Sequence, residues 1–315
     1  MRKTTFVLVS ALALMQGASS ITVQRTKRLD HLRMAACVAA PSGSTFAAAL
    51  EDHSIRIMNA AKGETIKILQ GHPQPVYALA FSPNGKLLAS GDESARIWIW
   101  DVPTGKRIRQ LPTLHSRGIQ ALNFSKDGSL LASTGKDDVI RIWNIKTGKP
   151  AGSILGKGAN VSSATFAGNS GLIAVGTLGS GLCFYKIKGF APAGSADAHG
   201  KQGIMDIAIN PEGTKAISGG RDGGAAYWDI KSHHCIKKLK GHQDWVAHVT
   251  LSPNGKLAAT SSNDRCVVLW DLVSGKSLSK LENKSPVGAP VAFTGDGKYL
   301  ITASDSDAIE IYLLK

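Results

Sequence analysis

Three sets of side chains in this sequence have the makings of a nucleophilic catalytic group. His115, Ser133 and Asp137 form one, His199, Ser218 and Asp222 a second, and His242, Thr260 and Asp264 a third. Such chemistry needs one exposed hydroxyl, an imidazole to take its proton, and donors for the oxyanion that follows. Here the Asp follows the hydroxyl residue by four positions each time, and a Trp (Trp143, Trp228, Trp270) follows the Asp by six. A nucleophile is needed once. Near-identical copies, each ending on an indole whose N–H must find an acceptor when buried, predict a hydrogen-bonded scaffold instead.

Other chemistry-bearing residues are equally bounded. His233, His234 and Cys235 are adjacent, and adjacent strand residues face opposite sides, so at most two of them could converge on a metal. The four cysteines (Cys37, Cys183, Cys235, Cys266) contain no CxxC pair and no metal-ligand spacing, so no metal or cofactor is implied, and because they fall in different repeats of the chain, mostly buried free thiols are expected. The segment Lys231 to Lys240 is the densest in basic residues. It reads either as a polyanion patch or as an outer strand whose lysines discourage strand addition. The glycines fall in hairpin turns, which disfavours a phosphate-binding loop.

These residues recur because the chain repeats. Met58-Asn59, Trp100-Asp101, Trp143-Asn144, Phe184-Tyr185, Trp228-Asp229, Trp270-Asp271 and Ile311-Tyr312 each close an apolar run, at spacings of 42 or 43 residues. Phe81-Ser-Pro-Asn-Gly85, Phe124-Ser-Lys-Asp-Gly128 and Leu251-Ser-Pro-Asn-Gly255 mark a hairpin after the first strand of a unit, since Asn-Gly and Asp-Gly accept positive φ at little cost. Gly71-His72, Leu114-His115, Ala198-His199 and Gly241-His242 lie 28 or 29 residues before the tryptophans.

A GH pair, an interval and a closing WD at this period resemble the WD40 family. The resemblance covers nearly all of residues 21–315, four repeats closely and three in degenerate form. It implies an all-β, seven-bladed propeller in which Thr22 to Leu29 supplies the outer strand missing from the blade of residues 285–315, closing the ring. It also implies that His, Ser or Thr, Asp and Trp form one structural chain in each complete blade. In the second blade His72, Ser90 and Trp100 are present, but Ser94 stands where the turn Asp belongs. The fourth blade lacks His, Asp and Trp, and Gly176, Gly179 and Gly181 in its turns predict the least rigid blade.

The resemblance further points to the top face and channel mouth for ligands, by position Tyr77, Gln120, Lys136, Met205, Arg221, Trp245 and Asn263. Trp245 is either a binding anchor or a cover over the neighbouring blade. A protein or peptide is the expected partner of a non-catalytic, monomeric scaffold. An anionic polymer or envelope surface (glycan, lipid or nucleic acid) is the alternative, and a propeller hydrolase is a further one. The chain has 37 basic and 23 acidic residues, a balance that favours acidic partners.

Residues 1–20 have the order of a signal peptide: Arg2 and Lys3, then apolar residues from Phe6 to Met15, then small residues at Ala18 and Ser20. The apolar run is too short to span a bilayer. Residues 21–315 are therefore expected as an exported protein, periplasmic or secreted, of bacterial style and with no membrane span.

Overall fold

The computed structural model describes residues 21–156, 160–168, 170–179, 181–283, 288–304 and 307–315. The expected signal peptide, residues 1–20, lies outside them. The described residues form seven four-stranded antiparallel sheets arranged as a seven-bladed β-propeller. The first blade runs outward through Met34–Ala39, Thr45–Leu50, Ile55–Asn59 and Glu64–Leu69. No helix among them is long and apolar enough to cross a membrane.

The hairpin signal acts as its residue types require. Gly85 has φ +69°, and the Ser82 hydroxyl donates to Asn84 Oδ1 (2.8 Å) while accepting from the Leu87 N–H (2.9 Å). Ser125 with Asp127 and Ser252 with Asn254 repeat the arrangement. Each blade then buries both faces only against its neighbours. Seven apolar clusters fill the seven junctions; one packs Trp143 of the third blade with Ala89 and Ile99 of the second. Ala47, Ala89, Ala132, Ala174 and Ala259 occupy equivalent places on the second strands and are essentially fully buried. These small side chains leave room for the bulky residues of the next blade.

The ring closes through the chain ends. Val23–Asp30 pairs with Ala308–Leu314 and becomes the outer strand of the seventh blade. Ile301, Ile309 and Ile311 of that blade pack on Phe46 and Met58 of the first. A buried carboxylate fastens the added strand. Glu310 is 1% exposed and accepts from Arg25 (2.5 Å), Arg28 (3.2 Å) and the Tyr312 hydroxyl (2.5 Å). Arg25 and Arg28 are three apart and would face opposite sides of a regular strand. A register shift between Arg25 and Lys27 places Arg25 opposite Tyr312 and Arg28 opposite Glu310, on one face.

Adjacent blades are also tied at their rims. Lys67 donates to the Pro103 carbonyl, Arg109 to those of Ile145 and Lys146 (3.3 Å each), and Lys237 to that of Val273. Where the outer strand carries glycine instead, the next turn supplies a ring. Phe190 lies over Gly152 and His233 over Gly194, where an added Cβ would come within 2.8 Å of His233 Nδ1. The basic segment is thus an outer strand, His234–Lys240, and Lys237 is engaged within the fold. The His233 ring stacks on Phe184 at 4.0 Å. No group of three metal-ligating residues occurs among the described residues.

Two expectations need correcting. Gly176 is inside the strand Leu172–Thr177, not a turn; a Cβ there would meet Ile204 of the fifth blade at 2.8 Å, so close blade approach requires the glycine. All four cysteines are free, but Cys37, Cys183 and Cys235 are half-buried and only Cys266 is buried. Burial pushes the Cys37 thiol up to about 12 and raises the other three, so these thiols resist ionisation.

Replacing Arg25 and Arg28 together by Ala leaves Glu310 buried without a cation, and should lower the unfolding free energy by about 3 kcal/mol or more. Glu310→Gln should cost clearly less, because the two arginines are partly exposed and can return to water. Urea unfolding of the variants measures both; equal losses would contradict the buried clamp.

Candidate functional site

The Ser-His-Asp sets come first, because their geometry decides between catalysis and scaffold. In the third blade Trp143 Nε1 donates to Ser133 Oγ (2.8 Å), which lies 2.8 Å from His115 Nε2, while His115 Nδ1 lies 2.8 Å from Asp137. One directed chain satisfies every group: indole to hydroxyl, hydroxyl to Nε2, Nδ1–H to carboxylate. The sets His199–Ser218–Asp222–Trp228 and His242–Thr260–Asp264–Trp270 have the same form. Ser133, Ser218 and Thr260 are completely buried and each already serves two partners. Substrate has no route to such a hydroxyl.

Burial lowers the pKa of His115 and of His242, with the facing aspartate offsetting part of the effect. Burial alone would raise Asp137 and Asp264. For Asp137 the bonds from His115, the Ser116 N–H and Arg141 outweigh it, and for Asp264 those from the Gln243 N–H and His242 do so, leaving both carboxyls below their ordinary value. The chains of the third and sixth blades therefore hold a neutral imidazole against an ionised carboxylate.

The second blade corrects the reading of Ser94. Asp92, fully buried, makes the contact: Oδ2 lies 2.9 Å from His72 Nδ1, and Oδ1 accepts from the Ser94 and Arg96 N–H groups. His72 Nε2 then meets Ser90 Oγ, which accepts from Trp100. Asp92 stands where the third and fifth blades have Gly135 and Gly220. In those blades a Cβ would fall 2.6 and 2.2 Å from the histidine Nδ1. One volume beside the histidine is filled either by the carboxylate of the strand residue or, above a glycine, by that of the turn residue.

The candidate ligand site is the channel mouth, a cavity of about 870 Å3 lined by all seven blades. Five of the seven residues singled out from the sequence line it: Tyr77, Gln120, Lys136, Met205 and Arg221. They converge because each follows the entry to an innermost strand or ends the next one. The backbone repeats this arrangement, with Lys136 N–H donating to the Gly118 carbonyl and Arg221 N–H to that of Gly203. Trp245 and Asn263 are not in the lining. Trp245 is 40% exposed and lies under the Arg221 guanidinium at 4.5 Å, so it reaches over the neighbouring fifth blade. Asn263 Oδ1 accepts from the Gly288 N–H (2.9 Å), joining the sixth blade to the seventh. Lys136 is bound to Glu93 (3.0 Å), which offsets its positive charge.

Sequence reasoning missed a polar run in the channel wall. Ser163, Asp206 and His248 are each third in the innermost strands Val161–Phe166, Ile204–Ile209 and Val246–Leu251, where the first three blades have Ala36, Ala78 and Ala121. Aligning the third positions would have exposed them. Burial raises the Asp206 carboxyl and lowers the His248 imidazole, and the charge of each pulls the other the opposite way. Asp206 Oδ2 lies 3.8 Å from His248 Nδ1 and accepts from the Val249 N–H at 3.1 Å, tying the fifth blade to the sixth. Asn123 makes the same inter-blade bond to the Phe166 N–H. The carboxylate stands between hydroxyl and imidazole, and no bond joins Ser163 to His248 among the described residues.

Fold and site define a closed propeller whose histidine chains hold its blades together and whose open surface is the mouth. The family model described as "WD domain, G-beta repeat" matches residues 63–101, 105–144, 191–229 and 233–271. The chain belongs to the WD40-repeat family. The matched stretches end on Trp100-Asp101, Trp143-Asn144, Trp228-Asp229 and Trp270-Asp271, in the blades that keep the histidine chain.

Among similar proteins, the "WD repeat-containing protein VIP3" of Arabidopsis thaliana is 33% identical over 88 residues, covering 28% of this chain and 27% of the relative. The "Guanine nucleotide-binding protein subunit beta-like protein 1" of Mus musculus is 34% identical over 83 residues, covering 26% and 25%. The "WD repeat-containing protein 1" of Gallus gallus is 40% identical over 75 residues, covering 22% and 12%. The chain thus matches only a small part of the length of these relatives.

Two outcomes follow from the histidine chains. Asp92→Gly strands His72 Nδ1 and should cost about 2 kcal/mol, whereas Ser94→Asp in that background should recover much of the loss; thermal unfolding of the single and double variants tests the exchange. Because His115 and His242 have lowered pKa values in the fold, the unfolded chain takes up their protons first, near pH about 6.5. Stability should fall as pH drops below that value. Asp137 and Asp264, also lowered, should add a further loss as pH falls through their folded pKa values. Urea midpoints that stay constant from pH 8 to pH 5 would contradict this.

Proposed function

We propose that this protein is a non-catalytic binding scaffold that holds a protein or peptide in the mouth of its channel, and that it acts after export. One observation carries the binding reading: all seven blades converge on a cavity of about 870 Å3, with Tyr77 in the wall on the second blade and Met205 beside Arg221 on the fifth. Its size and mixed polar and apolar lining suit several residues of peptide. The names of the relatives describe WD-repeat proteins, which supports a scaffold. The order of residues 1–20 supports export to a periplasm or the medium, and N-terminal sequencing of the accumulated protein would check it.

A net charge of +14 favours a second reading, adhesion to an anionic polymer or envelope surface. The two readings separate on one measurement. Peptides selected by display against the purified protein should lose at least tenfold in affinity on Tyr77→Ala or Met205→Ala and change little between low and physiological salt. A polyanion contact would instead weaken steeply with salt and ignore both substitutions.

A further inference from the structure

We infer that Arg221 receives a carboxylate carried by the peptide that occupies the mouth; this rests on the binding reading above and names its chemistry. Of the three Lys and Arg side chains in the cavity wall, two are paired with carboxylates. Arg33 is bound to Glu51 (2.5 Å) and Lys136 to Glu93 (3.0 Å). Asp138 accepts from the Val161 N–H (2.8 Å), and Asp307 lies 3.5 Å from His31. Arg221 has no carboxylate partner among the described residues. Arg221, on the fifth blade, is thus the cation of the wall left open to a carboxylate.

The guanidinium is held ready for that role. Its carbon lies 4.5 Å from the centroid of the Trp245 ring, and Nε donates to Met205 Sδ at 3.3 Å. These two contacts fix the plane of the group while its terminal nitrogens make no hydrogen bond among the described residues. A planar fork with free terminal N–H groups matches the two oxygens of a carboxylate, and prior immobilisation reduces the entropy lost on binding. Trp245 thereby acts behind the site, supporting the cation that meets the ligand. A cavity of about 870 Å3 is far larger than a simple anion needs, and Met205, Leu178, Ala247 and Pro290 offer it apolar wall. The occupant is a peptide bearing the carboxylate at its C-terminus or on an acidic side chain.

The test uses four fluorescein-labelled octapeptides of Ala, Leu and Gly, with binding to the purified protein read by anisotropy. One has a free C-terminal carboxylate, one a C-terminal amide, one the amide with a central Glu, and one the amide with a central Lys. At least one carboxylate peptide should bind ten times more tightly than the plain amide, and the Lys peptide no better than the amide. Comparison of the first and third peptides identifies which carboxylate is read. Arg221→Met should abolish the advantage, and Arg221→Lys should restore only part of it, with thermal unfolding showing that both variants are folded. Equal binding of all four peptides, unchanged by Arg221→Met, overturns the assignment; if Tyr77→Ala still weakens that binding, the mouth remains the site. Absence of binding by every peptide overturns both.

Discussion

A four-stranded blade has two apolar faces and cannot cover either by folding on itself, so every blade here depends on a neighbour at each side. That requirement passes around the ring until it reaches the chain ends. There the first and seventh blades pack on each other, and Val23–Asp30 crosses to complete the last sheet. The Glu310 clamp sits at this join. A carboxylate with 1% exposure is costly unless cations reach it, and two arginines reach it because a single bulge turns both to one face. The seventh blade has no histidine chain of its own, and Glu310, Tyr312 and the two arginines form its polar core instead.

The same substitution of one solution for another recurs in smaller form. Beside three of the structural histidines, the gap is filled by a strand carboxylate in the second blade and by a turn carboxylate over glycine in the third and fifth. At the rims, a lysine or arginine caps the next turn, or a ring from that turn lies over a glycine. In the fourth blade, where histidine, aspartate and tryptophan are all missing, Phe184 is fully buried under the His233 ring. Interior packing demands that a volume be filled and its polar groups bonded; it does not demand that a given residue do so. Degenerate repeats fold because the exchanges come in matched pairs.

Closure also creates the mouth. Each blade contributes a few residues from the entry to its innermost strand and the end of the following one, and the ring brings these seven contributions to one cavity. Internal ion pairs neutralise Arg33 and Lys136 there, whereas Arg221 is set against aromatic and thioether surfaces. The same geometry keeps the Ser-His-Asp sets away from ligand, because they lie between packed sheets and not in the channel.

Much of this was legible from residue spacing. A period of 42 or 43 residues, Asn-Gly and Asp-Gly hairpins, and the fixed offsets of His, Ser or Thr, Asp and Trp determine seven blades, their turns and three hydrogen-bonded chains, because those offsets report local geometry that each unit repeats. The N-terminal strand followed from the same count. The tertiary structure alone decided which side chains meet across blades: Asp92 in place of Ser94, the pairing of Arg25 and Arg28 with Glu310, the engagement of Lys136 by Glu93, and the seating of Arg221 on Trp245. Each of these depends on a bulge, a strand end or an approach between residues distant in the chain, and spacing within one repeat carries no record of what the next repeat places opposite.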